Sequence, residues 1–160
     1  MSAQLITVLP SLMVMTGSFQ INSPARAGPA SDSMAAMIGR LHHVILDGPD
    51  PHALAGFWSA LLGQPVTYRS DDFVVVAPDD TTSGLAFQLA PHHRPPTWPD
   101  PAVPQQLHLD VMVEDPATAG PQVVALGATR LDGEHVYADP AGHPFCLIRR
   151  PRWAPPIPAG

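Results

Sequence analysis

The chain has 160 residues, 45% of them hydrophobic and only 14% charged. That suits one compact domain with an ordinary core plus about forty residues of surplus. Eight arginines, no lysine and fourteen acidic residues leave a net charge of -6, so the basic surface a nucleic-acid binder needs is missing. A single cysteine, Cys146, excludes both an intramolecular disulfide and a thiolate zinc cage.

The first apolar run, Leu5 to Met15, contains Pro10 and is far shorter than the roughly 20 residues of a membrane span. Ala25-Arg26-Ala27 resembles a secretory cleavage site, but no basic residue precedes it, so a cytoplasmic protein is expected. Residues 23–33 are small, polar and rich in turn formers, and residues 1–38 read as a loose leader. Met34 and Met37 stand just before the first convincing strand, which makes them candidate translation starts.

The strongest feature is an internal repeat. Residues 41–51 and 106–116 match at His43/His108, Asp50/Asp115 and Pro51/Pro116. Each copy continues into an apolar, helix-favouring segment that ends in Leu62-Gly63 or Leu126-Gly127, and each closes on a Phe-x-Leu strand, Phe87-Gln88-Leu89 or Phe145-Cys146-Leu147. Asp50 can cap the first helix, Pro51 suits its first turn, and Leu54, Phe57, Trp58, Leu61 and Leu62 recur at helical spacing, which reads as core. Gly120-Pro121 interrupts the second helix, which is therefore expected to begin only at Pro121. Strands are expected at about 41–47, 64–69, 73–78 and 84–90, then 106–113, 129–132, 135–138 and 144–149. Each half is thus βαβββ, with modules at about 40–90 and 106–150 inside a domain at 39–150. Residues 91–105, with six prolines, form a semi-extended linker, and residues 151–160 form a proline-rich tail.

Alternation along the strands assigns faces. The apolar sets, Val44 with Leu46 and Leu109 with Val111 and Val113, must pack on the helices. The opposite face then carries His43 and Ile45 in one module and His108, Asp110 and Met112 in the other. The same parity puts Phe87, Leu89, Phe145 and Leu147 against helices and turns Gln88 and Cys146 to the histidine side. His43, Gln88, His108 and Cys146 are expected at repeat-equivalent positions facing one cavity.

These segments resemble a glyoxalase-like domain of the vicinal oxygen chelate superfamily. The resemblance spans about 40–150 and rests on residues 46–51, Phe57-Trp58 through Leu62-Gly63, Leu107-His108-Leu109-Asp110, Leu126-Gly127-Ala128 and the run from Asp139 to Leu147. It implies an α+β fold in which two βαβββ modules form a cupped mixed sheet around a small molecule, with helices outside. It also implies a possible homodimer. In metal-bearing members the four ligands come from the strands just described, so the implied set is His43, Gln88, His108 and Cys146.

Metal-dependent glyoxalases carry glutamates at the positions corresponding to Gln88 and Cys146, and this chain has neither. Without hard anionic ligands the set disfavours iron, manganese and nickel, while His, His and Cys suit zinc. The missing carboxylate is also the base that isomerising a hemithioacetal requires, which argues against glyoxalase I activity. Asp110, about 7 Å from His108 along the backbone, offers a compensating carboxylate. With His43 it would complete a two-histidine, one-carboxylate iron set, or it would only orient His108, so zinc stands ahead of iron.

The blander readings are a small buried hydrophobe for Cys146, a polar pocket group for Gln88, and a structural turn residue for His143, with Gly142 at positive φ. His92, His93 and Trp98 read as surface loop, with a lid over ligand as the alternative. No serine-hydrolase, P-loop or dinucleotide fingerprint is present. The expected function is binding of a small, mainly apolar organic molecule through His43, Gln88, His108, Asp110 and Cys146. Its rivals are a metal-assisted lyase, isomerase or oxygenase that uses His43 and His108, with Asp110 as candidate catalytic group, and a drug-sequestering resistance protein of the bleomycin type.

Overall fold

A computed structural model describes residues 38–158, so the leader before Ile38, with its candidate start sites Met34 and Met37, lies outside the described residues. The elements run β1 (His43–Gly48), α1 (Pro51–Leu62), β2 (Val66–Arg69), β3 (Phe73–Val76), β4 (Gly84–Leu89), β5 (Leu109–Val113), α2 (Pro116–Ala125), β6 (Thr129–Arg130), β7 (Val136–Ala138) and β8 (Pro144–Arg149). This is the α+β, twice-βαβββ order read from the repeat. Each module forms its own four-stranded mixed sheet, β1-β4-β3-β2 and β5-β8-β7-β6, parallel between β1 and β4 and between β5 and β8. No ladder joins the two sheets among the described residues, so the cup is not one continuous sheet.

Local chemistry explains the boundaries. The Asp50 carboxylate accepts from the His52 and Ala53 amides at 3.0 and 2.9 Å, and Gly63 at φ +63° ends α1. Asp115 caps α2 in the same way through Thr118. Contrary to expectation, α2 begins at Pro116 and runs through Pro121. Pro121 and Ala117, the residue whose carbonyl loses its partner, are both exposed, so water can take the missing bond. Gly120 is required by packing, since a Cβ there would collide with the Tyr137 hydroxyl. The expected strand from 106 starts only at Leu109 because the residue that would face His108 is Pro144, which has no N–H for the ladder.

The two modules share one core on their helix sides. Phe145 of β8 packs its ring 5.3 Å from Trp58 and 5.9 Å from Phe57, both on α1, and 5.8 Å from Tyr137. Leu46, Val74, Val76, Phe87, Val111 and Leu147 from the strands and Val123 from α2 belong to the same cluster, and Leu46, Phe87, Val111 and Leu147 lie on the faces that alternation assigns to the helices. A second join is polar. The Trp58 indole donates to the Asp139 carboxylate, which lies in the β7–β8 turn and also accepts from the Ala141 and His143 amides. His143 Nδ1 sits 2.9 Å from the same carboxylate, and Gly142 has φ +91° as the turn reading requires.

The linker is more folded than a semi-extended spacer. A Thr97-to-Val103 bond closes a loop in it, and it is fastened to the second module by Trp98, whose indole donates to the Asp132 carbonyl, and by His93 at the Ala141 carbonyl. The tail is likewise tied down, by Arg150 at the Ala154 carbonyl and by Glu114 at the Ile157 amide.

Candidate functional site

On the first sheet, the face turned away from the helices holds a cavity of about 600 Å³. Its floor is Ile45, Phe73 and Val75, Tyr68 forms a wall, and His42, His43, Asp79, Asp80 and Thr82 give it polar groups. The β3–β4 ladder places Val75 opposite Ala86 and Phe73 opposite Gln88, which gathers these side chains on the His43 face. Tyr68 arrives by a different route. A register shift between Val66 and Tyr68 sets Val66 opposite the core residue Val76 but Tyr68 opposite Val75. Regular alternation would have kept Tyr68 on Val66's face, and the bulge turns it over into the cavity.

His43 is held in a particular protonation form. Its Nδ1 accepts the Gly84 amide proton at 3.1 Å, which leaves Nε2 to carry the hydrogen of the neutral ring. Partial burial, followed by the neighbouring His42 ring 3.8 Å away, pushes its pKa below the ordinary histidine value of 6.5. The ring is uncharged at neutral pH and offers the cavity a donor. A metal-bound histidine does the reverse, giving its lone pair to the ion and its other N–H to an acceptor.

The remaining candidates lie elsewhere. His43 pairs with Gly84, whereas Gln88 pairs with Asp47, four residues further along both strands and about 13 Å away. In the second module, Asp110 pairs with Cys146. The first-module counterpart of Cys146 is therefore Ala86, a fully buried apolar residue, and not Gln88. This corrects the expected equivalence and leaves His43 with no donor of the implied ligand set beside it.

His108, Asp110 and Cys146 do come together, on the second sheet. One ligand atom from each lies within 4.8 Å of the others, the one such group of His, Cys, Asp and Glu among the described residues. His108 Nε2 is 3.6 Å from the Asp110 carboxylate. Burial, and after it the Asp110 charge, pushes the Cys146 thiol above its usual pKa, so without a cation it stays protonated. A nitrogen, an oxygen and a sulfur donor at this spacing fit a borderline ion such as zinc. They do not form the two-histidine iron set, because His43 belongs to the other sheet.

The sequence reading missed Tyr68, Phe73, Val75, Asp79, Asp80 and Thr82 as cavity residues. For Phe73 and Val75 the signal was their period-two spacing, which becomes informative only once β3 is known to pair with β4. Neither Trp98 nor His93 lines the cavity, since both are bound to the second module as described above.

Comparison with known proteins agrees with this architecture. A family model described as a glyoxalase-like domain matches residues 43–148. Among solved structures, the fosfomycin resistance protein from Mesorhizobium loti superposes with TM-score 0.52 at 15% identity, covering 69% of this chain and 91% of its own. A glyoxalase-related enzyme from Fulvimarina pelagi gives 0.51 at 21% identity, covering 72% and 91%. A glyoxalase/bleomycin resistance protein from Albidiferax ferrireducens gives 0.50 at 15% identity, covering 69% and 98%. At these identities the likeness is one of fold. A search of curated proteins finds no match. No helix among the described residues is long and apolar enough to cross a membrane. By the match over residues 43–148, the chain belongs to the glyoxalase-like domain family.

Proposed function

We propose that this protein is a cytoplasmic binder of a small, mainly apolar organic molecule, held on the first sheet without glyoxalase I chemistry. The observation that carries this reading is the cavity itself. Its volume falls in the range of small-molecule sites, and its apolar floor and aromatic wall meet a few polar groups, the usual make-up of such sites. His43, with its proton on Nε2, serves as a hydrogen-bond donor to an acceptor on the ligand and not as a base. Sequestration of a drug-like compound is the same binding event without turnover.

Naphthylmethanol is a suitable neutral probe, followed by calorimetry on the full chain. Ile45 is about half exposed on the cavity floor, so Ile45→Arg leaves the fold intact. It is expected to weaken the probe by about tenfold, the loss of roughly 1.5 kcal/mol of apolar contact. Met112→Arg, on the second sheet, leaves affinity unchanged. Equal binding by the wild type and Ile45→Arg would remove the cavity from the account.

A second reading, a metal-assisted lyase, isomerase or oxygenase, rests on the clustering of His108, Asp110 and Cys146. These three residues would hold the ion, zinc ahead of iron, and the ion would polarise a substrate oxygen as a Lewis acid. Elemental analysis of untagged protein checks it. Near-stoichiometric zinc that disappears in His108→Ala supports the enzyme. Protein that takes up none from added zinc or iron(II) excludes this cluster as a metal centre.

A further inference from the structure

We propose that the ligand of the first-sheet cavity is an organic cation, an apolar, flat body bearing an ammonium group. The inference rests on the binding reading above and adds the sign of the ligand's charge.

The cavity's lining contains two carboxylates, Asp79 and Asp80, and no arginine, and the chain has no lysine. Neither carboxylate takes part in an ion pair among the described residues, although the molecule's other acids at Asp115 and Glu114 do pair with arginines. Asp79 is also held in place. Its Oδ1 accepts from the Thr81 amide and from the Thr81 and Thr82 hydroxyls at 2.8–2.9 Å, and its Oδ2 has no partner among the described residues. Those hydrogen bonds, the Thr82 hydroxyl first, keep the carboxyl below its ordinary pKa, so it is charged wherever the protein is folded near neutrality.

Position matters as much as charge. Gly84 pairs with His43, so the β3–β4 loop carrying Asp79 and Asp80 lies toward the His43 end of the sheet, while Phe73 lies toward the Gln88 end. The cavity therefore has an anionic end and an aromatic end, where the Tyr68 and Phe73 rings meet edge to face at 6.3 Å. An apolar amine places its ring against Tyr68 and Phe73 and its ammonium at the carboxylates, with any hydroxyl or carbonyl oxygen available to His43 Nε2. An anionic ligand, such as a phosphonate or a carboxylate, would meet like charge with no guanidinium to offset it.

Three probes of one shape test this on the full chain at low ionic strength: naphthylmethylamine, naphthylmethanol and naphthoate. The amine is expected to bind about fivefold tighter than the alcohol, the scale of an exposed ion pair, and naphthoate more weakly than either. Raising the salt concentration should bring the amine-to-alcohol ratio toward one. In Asp79→Asn/Asp80→Asn the ratio should also approach one, because asparagine keeps the oxygen that takes the Thr81 and Thr82 donors but lacks the charge. Equal binding of amine and alcohol, tightest binding of naphthoate, or a ratio that survives the double substitution would overturn the inference and leave the cavity reading standing. Failure of all three probes to bind would overturn both.

Discussion

Asp139→Ala is expected to cost about 3–5 kcal/mol of folding stability, the range for removing one partner from a buried charged network. The Asp139 side chain is fully buried and takes the Trp58 indole, two backbone amides and His143. Alanine leaves those donors unpaired where water cannot easily reach them, and each such group costs about 1–3 kcal/mol. Asp139→Asn should be milder but not neutral. Its oxygen can still accept from the Ala141 and His143 amides, while its NH₂ would face the Trp58 N–H, donor against donor. Because Trp58 belongs to the first module and Asp139 to the second, the loss should also loosen the join between modules. Equilibrium urea denaturation reads the cost. A change below about 1 kcal/mol for Asp139→Ala would mean that the network contributes little beyond its packing.

Phe145→Ala should be comparably severe, at about 3–5 kcal/mol, from lost apolar transfer plus the cavity left behind. The ring is wholly inaccessible and lies within 6 Å of Phe57, Trp58 and Tyr137. These neighbours sit on α1 and β7, which are anchored by separate ladders and caps, so the void cannot close without moving a module. Phe145→Leu, which preserves much of the volume, should recover more than half of the loss. If the alanine variant unfolded at the wild-type urea concentration, the shared core would not be what joins the two halves.

Much of the architecture is legible in the sequence because it depends on short-range chemistry. The Asp50-Pro51 pair starts α1 by capping and by a missing N–H, as expected, whereas the same chemistry at Asp115-Pro116 starts α2 five residues before the expected Pro121. Alternation assigns Phe87 and Phe145 to the core and His43, Asp110 and Cys146 to the other face for the same local reason. Position along a strand is another matter. Matching Phe87-Gln88-Leu89 with Phe145-Cys146-Leu147 is wrong by two residues, a shift that preserves faces and so passes every test of alternation. Only the ladders show that Ala86 occupies the place of Cys146. Tyr68 was hidden by a bulge, which leaves no mark in hydrophobic periodicity. Pro121 misled because its cost in a helix depends on whether the orphaned carbonyl meets water, which composition does not reveal.

The central claim, that a small apolar molecule sits on the first sheet and uses His43 as a donor, is tested most directly by NMR titration of the full chain with naphthylmethanol. The account predicts shifts at Ile45, Tyr68, Phe73, Val75 and the His43 Nε2–H, with Asp110, Met112 and Cys146 unmoved. Shifts confined to Asp110, Met112 and Cys146, with the first sheet silent, would contradict it and move the binding function to the second module.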